Sequence, residues 1–163
     1  MRYLAFALAL LTVFAFASQA SATDNVLFIL DGSGSMWGKA GGETKIQTAK
    51  ELLTALIADL PGDTGVGLMS YGHRRGGDCE DVEILVPLGK NDPAELKKSI
   101  ESINPKGKTP LRGSLHKVLP VMAEHIGERN AVVLVSDGED TCGGDPCASA
   151  AALASAGLNL KIH

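Results

Sequence analysis

At 163 residues, with a formal charge of −4 and only 4% aromatic residues, the chain is long enough for one domain and too short for two. Its basic residues are scattered apart from His73-Arg74-Arg75, which argues against a nucleic-acid partner. Three of the four Phe fall in the first 16 residues, so Phe28, Trp37 and Tyr71 are left to an otherwise aliphatic core, and no stacking platform for bases or sugars is visible.

Arg2 precedes an uncharged apolar stretch over 3–17, followed by Ala20-Ser21-Ala22. This is the pattern of a secretory signal peptide with an A-x-A cleavage site. The stretch is shorter than the ~20 residues that span a bilayer, and it holds no cysteine for lipid attachment. Residues 1–22 are therefore expected to be removed. Residues 23–163 form the domain, with no membrane span in the mature chain and a periplasmic or secreted location.

Beyond the leader, 26–30 is the uninterrupted apolar run of a strand covered on both faces. Thr44-Lys45-Ile46-Gln47 reads as a capping box. Behind it Ile46, Ala49, Leu53, Leu56, Ile57 and Leu60 recur at helical spacing, until Pro61-Gly62 ends a helix over about 45–60. Residues 65–71 predict a second strand. A third covers 82–88, placed at an edge by Pro87. Asp92-Pro93-Ala94-Glu95 starts a helix to about residue 103. Thr109-Pro110 opens another, with Leu111, Leu115, Val118, Leu119 and Met122 on one face and a kink expected at Pro120. Residues 131–136 form a second continuous apolar strand. Asp145-Pro146 caps a helix to about 156, stopped by Gly157, and 158–163 begins another strand. Strands alternating with helices of this length predict βαβ units. The fold expected is α/β: an open, mostly parallel, doubly wound sheet with helices on both faces and one antiparallel edge strand.

Asp31-Gly32-Ser33-Gly34-Ser35 leaves the C-terminal end of the first strand, where open α/β sheets keep their ligand sites. A carboxylate and two hydroxyls at alternate positions are hard oxygen donors suited to Mg²⁺. Asp137 follows the other continuous apolar strand and so comes to the same edge. Thr109 follows a loop in which Gly107 allows close backbone approach. Taken singly, Asp31 reads as a turn residue, Ser33, Ser35 and Thr109 as helix caps, and Asp137 as a loop carboxylate; their joint occurrence points to a site.

In these five positions the chain resembles the von Willebrand factor type A domains, whose metal-ion-dependent adhesion site has the pattern D-x-S-x-S, a distant T and a distant D. Asp31, Ser33, Ser35, Thr109 and Asp137 match in order, and the resemblance covers about residues 24–163. It implies that the serines ligate the metal directly, the threonine directly or through water, and the aspartates largely through water. It also implies that a vacant position receives an Asp or Glu carboxylate from a protein or peptide partner. Mg²⁺ is the expected cofactor, with Mn²⁺ or Ca²⁺ open. Type A domains continue with a further strand and a C-terminal helix, so the domain is expected to be truncated at residue 163.

Trp37 either borders the ligand position or covers the loop. His73, Arg74 and Arg75 either contact an acidic partner from the same edge or form a solvated loop. Cys79, Cys142 and Cys147 allow one disulfide in an exported chain: Cys142 with Cys147 locally, or Cys79 with either across the site. Glu139 and Asp140 add negative potential, in a spacing that fits no EF-hand. An exported adhesion or assembly domain that is not an enzyme is the function expected. The alternatives are a Mg²⁺-dependent hydrolase or phosphatase, for which no D-x-D pair or Ser-His pair can be assigned, and a structural module whose site is unused. Nucleotide-binding glycine patterns fail at Trp37 and at Ser33.

Overall fold

The structure, a computed structural model, describes residues 24–158 and 160–162; the leader expected over 1–22 lies outside the described residues. The elements in chain order are β1 (Asp24–Asp31), a 3-10 turn (Gly34–Trp37), β2 (Lys39–Ala40), β3 (Glu43–Thr44), α1 (Lys45–Ala58), β4 (Gly65–Tyr71), β5 (Val82–Lys90), α2 (Pro93–Ser102), α3 (Leu111–Ala123), β6 (Arg129–Val135), α4 (Pro146–Ala154) and β7 (Leu160–Ile162). One five-stranded sheet has the order β5-β4-β1-β6-β7. Only β4 and β5 pair antiparallel; β1 pairs in parallel with β4 and β6, and β6 with β7. This is the expected doubly wound sheet, with Pro87 in the edge strand where its missing N–H leaves no ladder bond broken toward a neighbour.

The period-two alternation of strands divides the core in two. Phe28, Leu30, Leu68 and Val86 face α1 and α2, packing on Ile46, Leu53, Ile57, Leu96 and Ile100. Leu27, Ile29, Met69, Tyr71 and Val132 face the other way, onto Leu111, Leu115, Val118 and Met122 of α3 and Leu153 of α4. Each such side chain contributes about 1.5–3 kcal/mol by leaving water. Two residues assigned to these faces from spacing point elsewhere. Leu56 and Leu119 are each 46% exposed, because they lie beside the buried stripes, Ile46, Ala49, Leu53 and Ile57 in α1 and Leu111, Ser114, Leu115, Val118 and Met122 in α3.

Local signals explain the helix starts. Thr44 Oγ1 accepts from Gln47 N at 3.4 Å, but the Gln47 amide donates to Glu51 at 2.6 Å instead of returning to Thr44, so the capping box is half formed. Asp92 Oδ1 accepts from the amides of Ala94 and Glu95 at 3.0 and 3.1 Å, behind Pro93 at the first turn. Asp145 caps α4 through Ala148 N at 2.9 Å. Helix α3 continues through Pro120 to Ala123. The β2–β3 hairpin around Gly41-Gly42 was not expected; two-residue strands carry no periodicity, and the Gly-Gly pair was the only signal. The chain leaves β1 toward β4 and β5, then crosses back to β6 on the other side of β1, so the crevice at the C-terminal ends of β1 and β6 is the topological switch point.

Candidate functional site

Asp31 ends β1 at this crevice and is fully buried. Its Oδ1 accepts from Ser33 N at 2.7 Å, and its Oδ2 accepts from Tyr71 Oη at 2.9 Å and Ser136 Oγ at 2.7 Å. Three donors without a cation make a buried carboxylate tolerable. Burial, then the Asp31 charge, pushes the Tyr71 phenol far up, so it remains a donor throughout the ordinary pH range. Tyr71 and Ser136 were not singled out from sequence, since nothing in a strand-end tyrosine or serine announces its partner.

Ser33 precedes the 3-10 turn as its N-cap, but its hydroxyl makes no capping bond. It faces Ser35 Oγ at 3.0 Å, and Ser35 Oγ donates to Asp137 Oδ1 at 2.8 Å. The capping role open to these serines in the sequence is therefore not the one they take. Asp137 also accepts from Lys45 Nζ at 2.6 Å. Burial alone would raise the Asp137 carboxyl, but the hydrogen bonds from Lys45 and Ser35 outweigh it and hold the group below the usual carboxylate range. Lys45 is a functional neighbour that sequence reading missed. A cation as the first residue of a helix opposes the macrodipole, and that misplaced charge was the available signal.

Thr109 is 4% exposed and bound on both sides to the loop that carries Asp137: its N–H donates to Thr141 Oγ1 at 2.8 Å, and Thr141 N–H donates to its carbonyl at 3.0 Å. It does not cap α3. The N-cap is Pro110, which has no side-chain acceptor, and Asp140 supplies one from a distance, accepting from the amides of Arg112 at 2.9 Å, Cys142 at 2.7 Å and Gly144 at 3.1 Å. Burial would raise the Asp140 carboxyl; those amides more than compensate and lower it. Sequence reading gave Asp140 only a general negative potential.

The loops are locked backbone to backbone. Gly34 N donates to Gly107 O at 3.0 Å, Lys106 N to Gly32 O at 3.0 Å, and Gly107 N to Gly72 O at 2.7 Å. A Cβ at Gly72, where φ is +66°, would stand 2.3 Å from Lys108 O, and one at Gly107 would stand 2.4 Å from Arg75 O. Only glycine fits both places. Asp31, Ser33, Ser35 and Asp137 are thus joined by direct bonds through the main chain and side chains, and Thr109 is brought in through Gly107 and Thr141.

Trp37 is 52% exposed with its indole N–H held by Pro105 O at 3.0 Å. His73, Arg74 and Arg75 turn to acids of their own loop and of the start of β5: His73 Nε2 lies 3.1 Å from Glu83, Arg74 Nε 2.7 Å from Asp81 and 3.3 Å from Glu83, and Arg75 2.9 Å from Asp78. Burial pushes the His73 imidazole down, more strongly than its acidic neighbours raise it. Cys79 and Cys142 form the disulfide that staples the β4–β5 loop to the β6–α4 loop, and Cys147 is free and exposed.

Among the described residues no three His, Cys, Asp or Glu side chains gather as a metal cluster; the oxygen set here mixes hydroxyls with carboxylates. Adjacent oxygens of a Mg²⁺ octahedron with bonds of 2.0–2.1 Å lie about 2.9 Å apart. The Ser33–Ser35 and Ser35–Asp137 separations match that edge, and the donor chemistry fits a hard cation.

The family model described as von Willebrand factor type A domain matches residues 26–139. The uncharacterized protein YwmD of Bacillus subtilis (strain 168) is 32% identical over 156 residues, covering 91% of this chain and 70% of that protein. Among solved structures, a von Willebrand factor type A protein from Catenulispora acidiphila superposes with a TM-score of 0.69 at 21% identity, over 87% of this chain and 32% of that one. The vWF domain of the type V pili tip protein Mfa5 from Porphyromonas gingivalis gives 0.58 at 20% identity, over 72% and 38%. The chain spans about a third of the length of these two solved chains.

Proposed function

This chain belongs to the von Willebrand factor type A domain family, and from that premise we propose that it is an exported protein-binding domain whose Asp31, Ser33, Ser35, Thr109 and Asp137 hold a Mg²⁺ ion. The observation that carries the reading is the pair of Ser33 and Ser35 hydroxyls, released from capping and set 3.0 Å apart against Asp137. A bound Mg²⁺ supplies positive charge that neutral hydroxyls leave largely uncompensated, and with it a position for an Asp or Glu oxygen of a partner.

The chain's own residues prepare that contact. Asp31 orders the loop by accepting from Ser33 N, and Tyr71 and Ser136 hold Asp31 in turn. Asp140 takes over the capping of α3, so that role does not fall to Thr109. Lys45 keeps Asp137 ionised and takes one of its oxygens. Binding is favoured over hydrolysis because a serine nucleophile needs a competent base, and the carboxylate that Ser35 meets, Asp137, is held below the usual carboxylate range and so is a weak one. Export is supported by the leader pattern in residues 1–22 and by the Cys79–Cys142 bridge, which belongs to oxidising compartments. The pili tip protein among the structural relatives is in keeping with adhesion or assembly.

Calorimetric titration with Mg²⁺, paralleled by Trp37 fluorescence, tests the site. Saturable binding in the parent and a loss of at least about tenfold in Ser33→Ala is the expected result. Unchanged affinity in a folded Ser33→Ala protein overturns the assignment.

A further inference from the structure

We propose that the groove between α3 and the β6–α4 loop is a second acidic-group subsite of the same edge, in which Arg112 receives another carboxylate of the partner; this rests on the carboxylate-binding reading above. The groove has a volume of about 330 Å³ and is lined by Arg112, His116 and Lys117 of α3, by the Cys79–Cys142 bridge and by Asp140. Pro110, the residue after Thr109, forms part of its wall, so the groove opens beside the metal position.

Arg112 is the residue that distinguishes it. Of the arginines in the described residues, Arg74 pairs with Asp81 and Glu83, Arg75 with Asp78 and Arg129 with Asp24. Among the described residues the Arg112 guanidinium has no such carboxylate, although Asp140 lines the same groove. The Asp140 oxygens are spent on the backbone amides of Arg112, Cys142 and Gly144. Lys117 adds a second exposed cation, anchored by donation from Nζ to Val82 O at 2.9 Å. His116 Nε2 lies 3.4 Å from Ser149 Oγ. The remaining acid of the lining is the exposed Glu80.

The stem of Arg112 is also set in place. A Cβ on Gly144 would meet its Cβ, Cδ and Cγ at 2.4, 2.6 and 3.0 Å, so the methylenes lie flat on the Gly144 backbone. A guanidinium held this way presents a planar fork to a carboxylate at reduced entropic cost. Arg112 follows Thr109 by three residues, which puts their Cα atoms no more than about 11 Å apart. An extended partner segment puts every second side chain on one face, about 6.6 Å apart, so two acidic residues two apart face the same surface within that distance. The ligand class is therefore a peptide with paired acidic residues, one for the cation and one for Arg112.

The full chain, with Mg²⁺ at saturation, is titrated calorimetrically with two blocked Gly-Ser heptapeptides, one carrying a single Glu and the other two Glu two residues apart. The second Glu should tighten binding on the order of tenfold. Arg112→Gln should erase that gain while leaving Mg²⁺ affinity unchanged, and Arg112→Lys should restore only part of it. No gain in the parent, or a gain that survives Arg112→Gln, overturns the subsite. Mg²⁺ titration of both proteins reads the metal assignment by itself. In EDTA, a two-Glu preference that still depends on Arg112 upholds the subsite even where the metal reading has failed.

Discussion

Both ends of the sheet bury polar side chains, but they complete them differently. At the N-terminal end of β1 and β6, Asn25 and Asn130 are buried as amides that each carry donors and acceptors. Asn25 Nδ2 donates to Asn130 Oδ1 at 3.1 Å and to Glu128 at 2.5 Å, while Asn130 Nδ2 donates to the carbonyls of His125 at 3.1 Å and Leu158 at 2.9 Å. That end closes on itself. At the C-terminal end, Asp31, Ser33, Ser35 and Asp137 bring many acceptors and few donors, and a lysine from another element is drawn in to Asp137. A matched set stabilises a fold; an acceptor-rich set on rigid loops is what a cation would complete.

The largest test of this contrast concerns the staple found only at the site end. Cys79 and Cys142 are 63 residues apart, and replacing both with Ser should cost about 4 kcal/mol in denaturant unfolding, by the entropy of closing so long a loop. A loss below about 1 kcal/mol would mean that the glycine-locked loops hold the edge without it.

Next comes Asp81, fully buried, whose Oδ2 accepts from Arg74 N at 2.8 Å and Arg75 N at 2.9 Å and whose Oδ1 accepts from Arg74 Nε at 2.7 Å. Asp81→Asn should cost about 3 kcal/mol at pH 7, because it removes the charged acceptor of two backbone amides and of the partly exposed Arg74 guanidinium. Burial raises the Asp81 carboxyl, but the Arg75 and Arg74 bonds outweigh it and hold it below the usual range. As pH falls the unfolded chain takes this proton first. The stabilisation is therefore complete above about pH 4 and is lost as pH drops through the depressed value. Thermal unfolding from pH 7 to pH 2 should show a flatter acid limb in Asp81→Asn.

Asn130→Ala, at the closed end, should destabilise by about 2 kcal/mol through the acceptors it strands, with Mg²⁺ affinity untouched in calorimetry. Ser35→Ala should do the reverse. Stability should change by less than about 1 kcal/mol, since an exposed hydroxyl is lost, while Mg²⁺ binding weakens at least about tenfold. Equal effects of the two substitutions on stability and on binding would erase the distinction between the ends.

Much of this was readable in order along the chain. The runs at 26–30 and 131–136 are continuous because both faces of those strands are covered, and Pro87 marks the edge because it lacks a donor. The D-x-S-x-S spacing singled out Asp31, Ser33 and Ser35, which with Asp137 are joined by direct bonds, while Thr109 meets the Asp137 loop through its backbone. Side-chain partners were not readable. Leu56 and Leu119 fit a helical stripe by spacing and are half exposed, because spacing does not report the width of the surface a helix meets. His73, Arg74 and Arg75 are a basic run in sequence, yet their partners Asp78 and Asp81 lie on the same excursion and Glu83 at the start of β5, and only the folding of that segment spends those charges.

By itself, then, the sequence determined the sheet and its winding, because these follow from local periodicity, turn chemistry and the ends of apolar strands, and it supplied the five oxygen-bearing residues of the proposed site through a motif. The tertiary structure alone decided how the side chains of this edge are partnered. Asp140 caps α3 in place of Thr109, Lys45 reaches Asp137 from the start of α1, and Cys79 chooses Cys142 over Cys147. Each of these is a contact between segments distant in the chain, fixed by how the loops pack over the edge and not by anything within reach of a sequence window.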